Sequence, residues 1–130
     1  SVPKDITSVR FNEGLQKIGE NAFRNCTSVD NITIPPTVIE IGYYAFNCCR
    51  NLRKVIFNDG LQKIGDSVFE ECTSLESITL PSTVIEIDES AFNSCRKLRE
   101  VIFNDGLKKI GTGAFHECTS LESITIPPTV

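Results

Sequence analysis

The sequence predicts an α/β repeat solenoid, built mostly of short parallel β-strands with short helical or 3₁₀ turns between them. Two ladders carry the prediction. Phenylalanine recurs at 23, 46, 69, 92 and 115, and cysteine at 26, 49, 72, 95 and 118, both stepping by 23 residues without insertion or deletion. A fixed period of this length is the signature of stacked structural repeats. The third observation is periodicity inside the unit. Apolar residues two apart, such as Val55 and Phe57 or Ile78 and Leu80, fit a strand with one face inward. Val68, Phe69 and Cys72, at three-to-four spacing, fit a single helical or 3₁₀ turn.

The chain divides into complete units 9–31, 32–54, 55–77, 78–100 and 101–123, with partial units at both ends, in one solenoid domain spanning 1–130. Each unit opens with the first strand. In the third unit the apolar set is Val55, Phe57, Leu61, Ile64, Val68, Phe69, Cys72 and Leu75. Leu61 and Ile64-Gly65 mark a second, less regular extended segment, and the helical turn follows. Two unit types alternate. Odd units carry Phe-Asn-(Glu/Asp)-Gly-Leu at Phe11–Leu15, Phe57–Leu61 and Phe103–Leu107, where Asn and Gly supply a tight turn through positive φ. Even units carry Pro35-Pro36, Pro81 and Pro127-Pro128, which fix φ and end strand pairing. All eight Phe residues fall on these 23- and 46-residue registers.

The alternation also sorts charge. One row reads Asp30, Arg53, Glu76, Arg99, Glu122, and another Lys17, Glu40, Lys63, Glu86, Lys109. Equivalent positions in neighbouring coils lie ~4.8 Å apart when strands pair in register. Each charge then stands between opposite charges, which removes the repulsion that identical repeats would create. Exposed pairs contribute only ~0.2–1 kcal/mol each, so the rows are expected to control register more than stability.

The formal charge of -4 and pI near 5.0 argue against a nucleic-acid or anionic-membrane partner, which requires a basic face. No apolar run approaches the ~20 residues of a membrane helix. The opening Ser1-Val2-Pro3-Lys4-Asp5 lacks the pattern of a signal peptide. The absence of Met, even at residue 1, leads us to expect a piece of a longer secreted protein.

The run I-G-x-x-A-F-x-x-C-x-x-L, followed by x-x-I-x-(I/L)-P, resembles the BspA-like leucine-rich repeats. It stands here as Ile18-Gly19, Ala22-Phe23, Cys26, Val29, Ile32 and Ile34-Pro35, and recurs from Ile41, Ile64, Ile87 and Ile110. Departures are few: Asp88 replaces the Gly, Val68 the Ala, and odd units lack the Pro. The resemblance implies a right-handed leucine-rich-repeat solenoid with a parallel sheet on its inner face. It further implies a surface or secreted protein, extracellular or at the cell surface, used in adhesion and protein recognition.

No catalytic, cofactor or metal site is expected. Metal signatures pair their ligands two to four residues apart, not 23, and stacked side chains pointing one way disfavour disulfides. The laddered cysteines are therefore read as packing thiols. Cys48 lies off the ladder and is expected to face solvent, either as a reactive or bridging thiol or as an incidental one. His116, the single histidine, occupies the row of Arg24, Asn47, Glu70 and Asn93 and has no nucleophile at a repeated position beside it. Glu70→Ala, next to Phe69, is expected to be nearly silent. Glu13, Asp59 and Asp105 are two coils, ~10 Å, apart and cannot share a calcium ion. Asn25-Cys26-Thr27 and Asn31-Ile32-Thr33 are glycosylation sequons, meaningful only in a eukaryotic secretory pathway. The candidate partner face is the outward side of the first strands: Arg10, Thr33, Ile56, Thr79, Ile102 and Thr125, flanked by Arg53, Glu76, Arg99 and Glu122. The plainer reading of that row is that strands favour β-branched residues. The expected partner is a protein of host-surface or matrix type. The alternative is a structural spacer that self-associates through uncapped solenoid ends.

Overall fold

A computed structural model describes residues 8–9, 11–12, 14–122 and 124–130. Each coil contributes two short strands. The first strands are β1 (Ser8–Val9), β3 (Asn31–Thr33), β5 (Lys54–Ile56), β7 (Ser77–Thr79) and β9 (Glu100–Ile102). The second are β2 (Lys17–Ile18), β4 (Glu40–Ile41), β6 (Lys63–Ile64), β8 (Glu86–Ile87) and β10 (Lys109–Ile110). Pairing is parallel and steps one repeat at a time, Thr33 opposite Ile56 and Ile41 opposite Ile64. The result is the predicted parallel β-solenoid. The second strands form one continuous sheet in the order β10-β8-β6-β4-β2. The first-strand ladder runs β1-β3-β5 and β7-β9, and is interrupted between β5 and β7. In β3, β5 and β7 the central residue is buried and its two neighbours are exposed, as the apolar spacing required.

The expected helical turn is absent among the described residues, and consecutive tight turns take its place. Their N–H groups alternate between two kinds of acceptor. Ala22 and Arg24 donate within the coil, to Gly19 and Asn21 carbonyls at 3.3 and 3.2 Å. Phe23 and Asn25 donate instead to Ala45 and Asn47 carbonyls of the next coil, at 2.7 and 2.8 Å. Left-handed residues recur four apart to make this possible, as at Asn21 (φ 59°) and Asn25 (φ 62°) or Ser67 (φ 55°) and Glu71 (φ 63°). The physical reason lies in the donors. An α-helix spends its N–H groups on its own carbonyls, whereas an unwound turn lets half of them reach the neighbouring coil.

The core is a column of parallel rings. Phe23, Phe46, Phe69, Phe92 and Phe115 stack with centroids 5.3–5.4 Å apart and interplanar angles of 1–12°. Phe11, Phe57 and Phe103 pack edge-on against Phe23, Phe69 and Phe115 at 5.6–5.9 Å. The 46-residue Phe series is thus a set of edges set against the 23-residue column of faces. The laddered cysteines do more than fill space. Cys49, Cys72, Cys95 and Cys118 each donate an S–H to the carbonyl of the Phe 26 residues earlier, at 3.1–3.2 Å. All six cysteines are unbridged. Burial pushes the Cys49 thiol up to about 12 and Cys72 well above its ordinary value, which keeps the donating protons in place.

Odd and even coils also interlock at the Gly and Pro turns. Gly60 takes φ 117°, donates its N–H to Thr83 Oγ1 at 3.0 Å, and would place a Cβ 2.4 Å from the Pro36 carbonyl oxygen. Gly14 is left-handed as well, at φ 84°, but Gly106 is not, so the expected positive φ holds at two of the three odd turns. Thr83 passes its own hydroxyl proton to the Leu61 carbonyl at 2.6 Å, and Asn58 Nδ2 donates to the Ile34 carbonyl at 2.6 Å.

Candidate functional site

On the first-strand face, parallel register sets Thr33 beside Ile56 and Thr79 beside Ile102. Arg10, the start of the predicted row, lies outside the described residues, as does Glu13. Every other residue of the predicted face is exposed: Thr33, Ile56, Thr79, Ile102 and Thr125 in the central row, and Arg53, Glu76, Arg99 and Glu122 in the charged row. Ile56 and Ile102 leave 43% and 47% of their surface in solvent. Arg99 Nη2 lies 3.0 Å from Glu76 Oε1, the one close ion pair of this row among the described residues.

Three shallow depressions are cut into this face. One of about 420 Å³ is lined by Asp30, Thr33, Arg53, Lys54, Ile56 and Glu76. A second of about 540 Å³ is lined by Arg99, Ile102, Phe103, Glu122 and Thr125, among others. The third, about 390 Å³, spans the interruption between β5 and β7, from Lys54 to Pro81. The face therefore offers apolar contact and charge of both signs. Such a surface can contact a protein along several coils.

The second-strand face carries the other charged row. Lys17 pairs with Glu40, and both Lys63 and Lys109 pair with Glu86, all at 3.8 Å. Asp88, standing where other units have Gly, adds a contact to Lys63 at 3.4 Å, and its charge raises the Lys63 pKa. Sequence reasoning missed the exposed Ile39 and Ile85 on this side, at 46% and 43%. Their signal was available in the row Gln16, Ile39, Gln62, Ile85, Lys108.

The turn side corrects the reading of Glu70. Arg24 Nε donates to Asn47 Oδ1 at 3.3 Å, and Asn47 Nδ2 donates to Glu70 Oε1 at 3.1 Å. Asn93 Nδ2 donates to the other Glu70 oxygen at 3.3 Å. Glu70 is thus the shared acceptor of a four-coil chain in which Asn47 is only 3% exposed. The Arg24 guanidinium also sits 4.7 Å over the Tyr44 ring. His116 ends this row, with Nε2 3.6 Å from Glu117 of its own coil. Cys48 is half-buried, and its sulfur accepts from Arg50 Nη2 at 3.8 Å. Desolvation raises its pKa, so its surroundings do not activate the thiolate.

With this geometry in place, comparison adds the following. Residues 3–122 match the BspA type leucine rich repeat region in six copies. The fold superposes on a leucine-rich repeat protein of T. pallidum with a TM-score of 0.85 and 32% identity, covering 92% of this chain and 57% of that one. A leucine rich cell surface protein of Faecalibacterium prausnitzii gives a TM-score of 0.88 and 29% identity, covering 93% and 32% of the two chains. For a leucine-rich repeat protein of Bacteroides ovatus the values are 0.71 and 28%, covering 89% and 36%. The chain therefore spans less than two thirds of each of these relatives. No curated protein matches it.

Proposed function

We propose, since the chain belongs to the BspA-type leucine-rich repeat family, that it is a non-catalytic protein-binding module of a larger surface or secreted protein. Its docking surface is the first-strand face. One observation carries this reading: side chains from successive coils line up there, with Ile56 and Ile102 exposed and three depressions cut along the row, while others lie on the second-strand and turn sides. Flat strand surfaces of stacked repeats are suited to extended partners because contacts accumulate coil by coil. The cell-surface description of the Faecalibacterium relative supports a surface setting. The partner class is a host-surface or matrix protein.

The test is a binding panel of purified matrix and cell-surface proteins over the immobilised chain, repeated with Ile56→Asp/Ile102→Asp. Loss of binding in that variant, with retention in Glu89→Ala on the turn side, is the expected result. Binding that survives the strand-face change but disappears on altering a terminal coil would overturn it in favour of association through the ends.

A further inference from the structure

The first-strand face alternates in two properties at once. Odd coils bring a base together with a bulky apolar residue: Arg53 with Ile56, and Arg99 with Ile102. Even coils bring an acid together with a small residue: Asp30 with Thr33, and Glu76 with Thr79. All eight side chains are at least partly exposed. Along these two rows charge and size alternate together from coil to coil, which makes the rows complementary to themselves; the row between them, Asn31, Lys54, Ser77 and Glu100, does not alternate.

We infer that the occupant of this face is the same face of a second copy, packed about a two-fold axis that runs parallel to the strands between β5 and β7. Such an axis preserves strand direction and reverses coil order. It sets odd coils against even coils throughout. Arg53 of one copy then meets Glu76 of the other, and Arg99 meets Asp30. Ile56 faces Thr79 and Ile102 faces Thr33, so each large side chain opposes a small one, as in facing core layers that interdigitate. Shifting the axis onto a coil would put Arg opposite Arg, which fixes the register. An isologous contact of this kind closes at two copies. The Arg99–Glu76 pair within one chain, at 3.0 Å, becomes part of a network in which each base has an acid on either side.

The inference rests on the strand face being the docking surface, and it gives that face a further occupant, a second copy, which would compete there with a matrix partner. The contact is small. Three residues by four coils is roughly 10 Å by 19 Å, well under the ~800 Å² per partner of a standard interface. Association of this chain is therefore expected only near millimolar concentration, and it is salt-sensitive.

The experiment uses two charge-reversed forms. Arg53→Glu/Arg99→Glu makes the face acidic, and Asp30→Arg/Glu76→Arg makes it basic. Sedimentation equilibrium at low salt should show self-association of the parent chain. Each variant alone should lose it by about tenfold or more, and an equimolar mixture should recover it as a mixed dimer. Circular dichroism establishes that the variants fold. Should either unfold, concentration-dependent amide shifts in the parent chain decide: changes confined to β3, β5, β7 and β9 support the pairing, and changes elsewhere overturn it. A parent chain that stays monomeric at millimolar concentration overturns it as well, as does a mixture that fails to pair. If that chain still loses a matrix partner on Ile56→Asp/Ile102→Asp, the docking surface stands and only self-pairing fails. If the parent dimerises and neither charge-reversed form is weakened, another surface pairs, and the inference is wrong.

Discussion

Phe69→Ala is the sharpest test of the ring column. Phe69 is fully buried, with Phe46 and Phe92 stacked on its two faces at 5.4 and 5.3 Å and Phe57 against its edge at 5.9 Å. Truncating a buried Phe costs ~3–5 kcal/mol. Each aromatic pair adds ~0.5–1.5 kcal/mol beyond burial, so three ring neighbours place this site at the upper end of that range. Position matters too. A repeat stack is held by nearest-neighbour interfaces, and a cavity in the central coil weakens the interfaces on both sides of it. Phe115 is the internal control, being partly exposed with one stacked partner and one edge partner. Urea denaturation of both variants is the assay. Phe69→Ala should lower the midpoint about twice as far as Phe115→Ala. Equal shifts, or a loss at Phe69 below about 1 kcal/mol, would refute the column as the main source of cohesion.

Glu70→Ala should cost ~1–3 kcal/mol by leaving the Asn47 and Asn93 amides unpaired, whereas Glu89→Ala should stay within about 0.5 kcal/mol; thermal melts distinguish them. Gly60→Ala should destabilise by more than ~1 kcal/mol, from its φ of 117° and the Pro36 carbonyl, while Gly106→Ala should be mild, and midpoint shifts check the pair. The laddered thiols should resist alkylation until the chain unfolds, with Cys48 reacting first, as read by mass spectrometry under native and denaturing conditions. Because the Cys49 pKa is raised in the folded state, its contribution is full below the ordinary thiol value of 9.0 and falls as pH climbs toward about 12. Urea midpoints measured across that window should drop, and less steeply in Cys49→Ala.

Much of this architecture was legible because the repeat never slips. A period of 23 fixes which residues are neighbours, so the Phe and Cys columns and both charge rows could be read directly from letter spacing. Two things escaped for physical reasons. Val68, Phe69 and Cys72 have a spacing that suits a helix and a run of tight turns equally. What decides between them is whether the N–H groups bond within the coil or to the next one, a property of the stack and not of the segment. Glu70 has no partner within its own coil, since both of its donors lie one repeat away, at Asn47 and Asn93. Strand alternation locates the exposed first-strand face, whereas Ile39 and Ile85 stand beside the charged row of the second-strand sheet.

The interrupted ladder between β5 and β7 gives the rod an uneven stiffness. At that junction the second strands remain bonded through β6 and β8, and turn-side bonds such as Phe69 to Ala91 persist at 2.7 Å. Only the first-strand side lacks its rungs. With β5 and β7 still packed together, fewer bonds there oppose bending than at the other first-strand junctions, which makes this the expected seam for flexing. Flexing would splay the strand face at its middle and change its curvature while the columns behind stay in contact. A surface able to adjust its curvature at one seam can conform to targets of different shape without any coil unfolding.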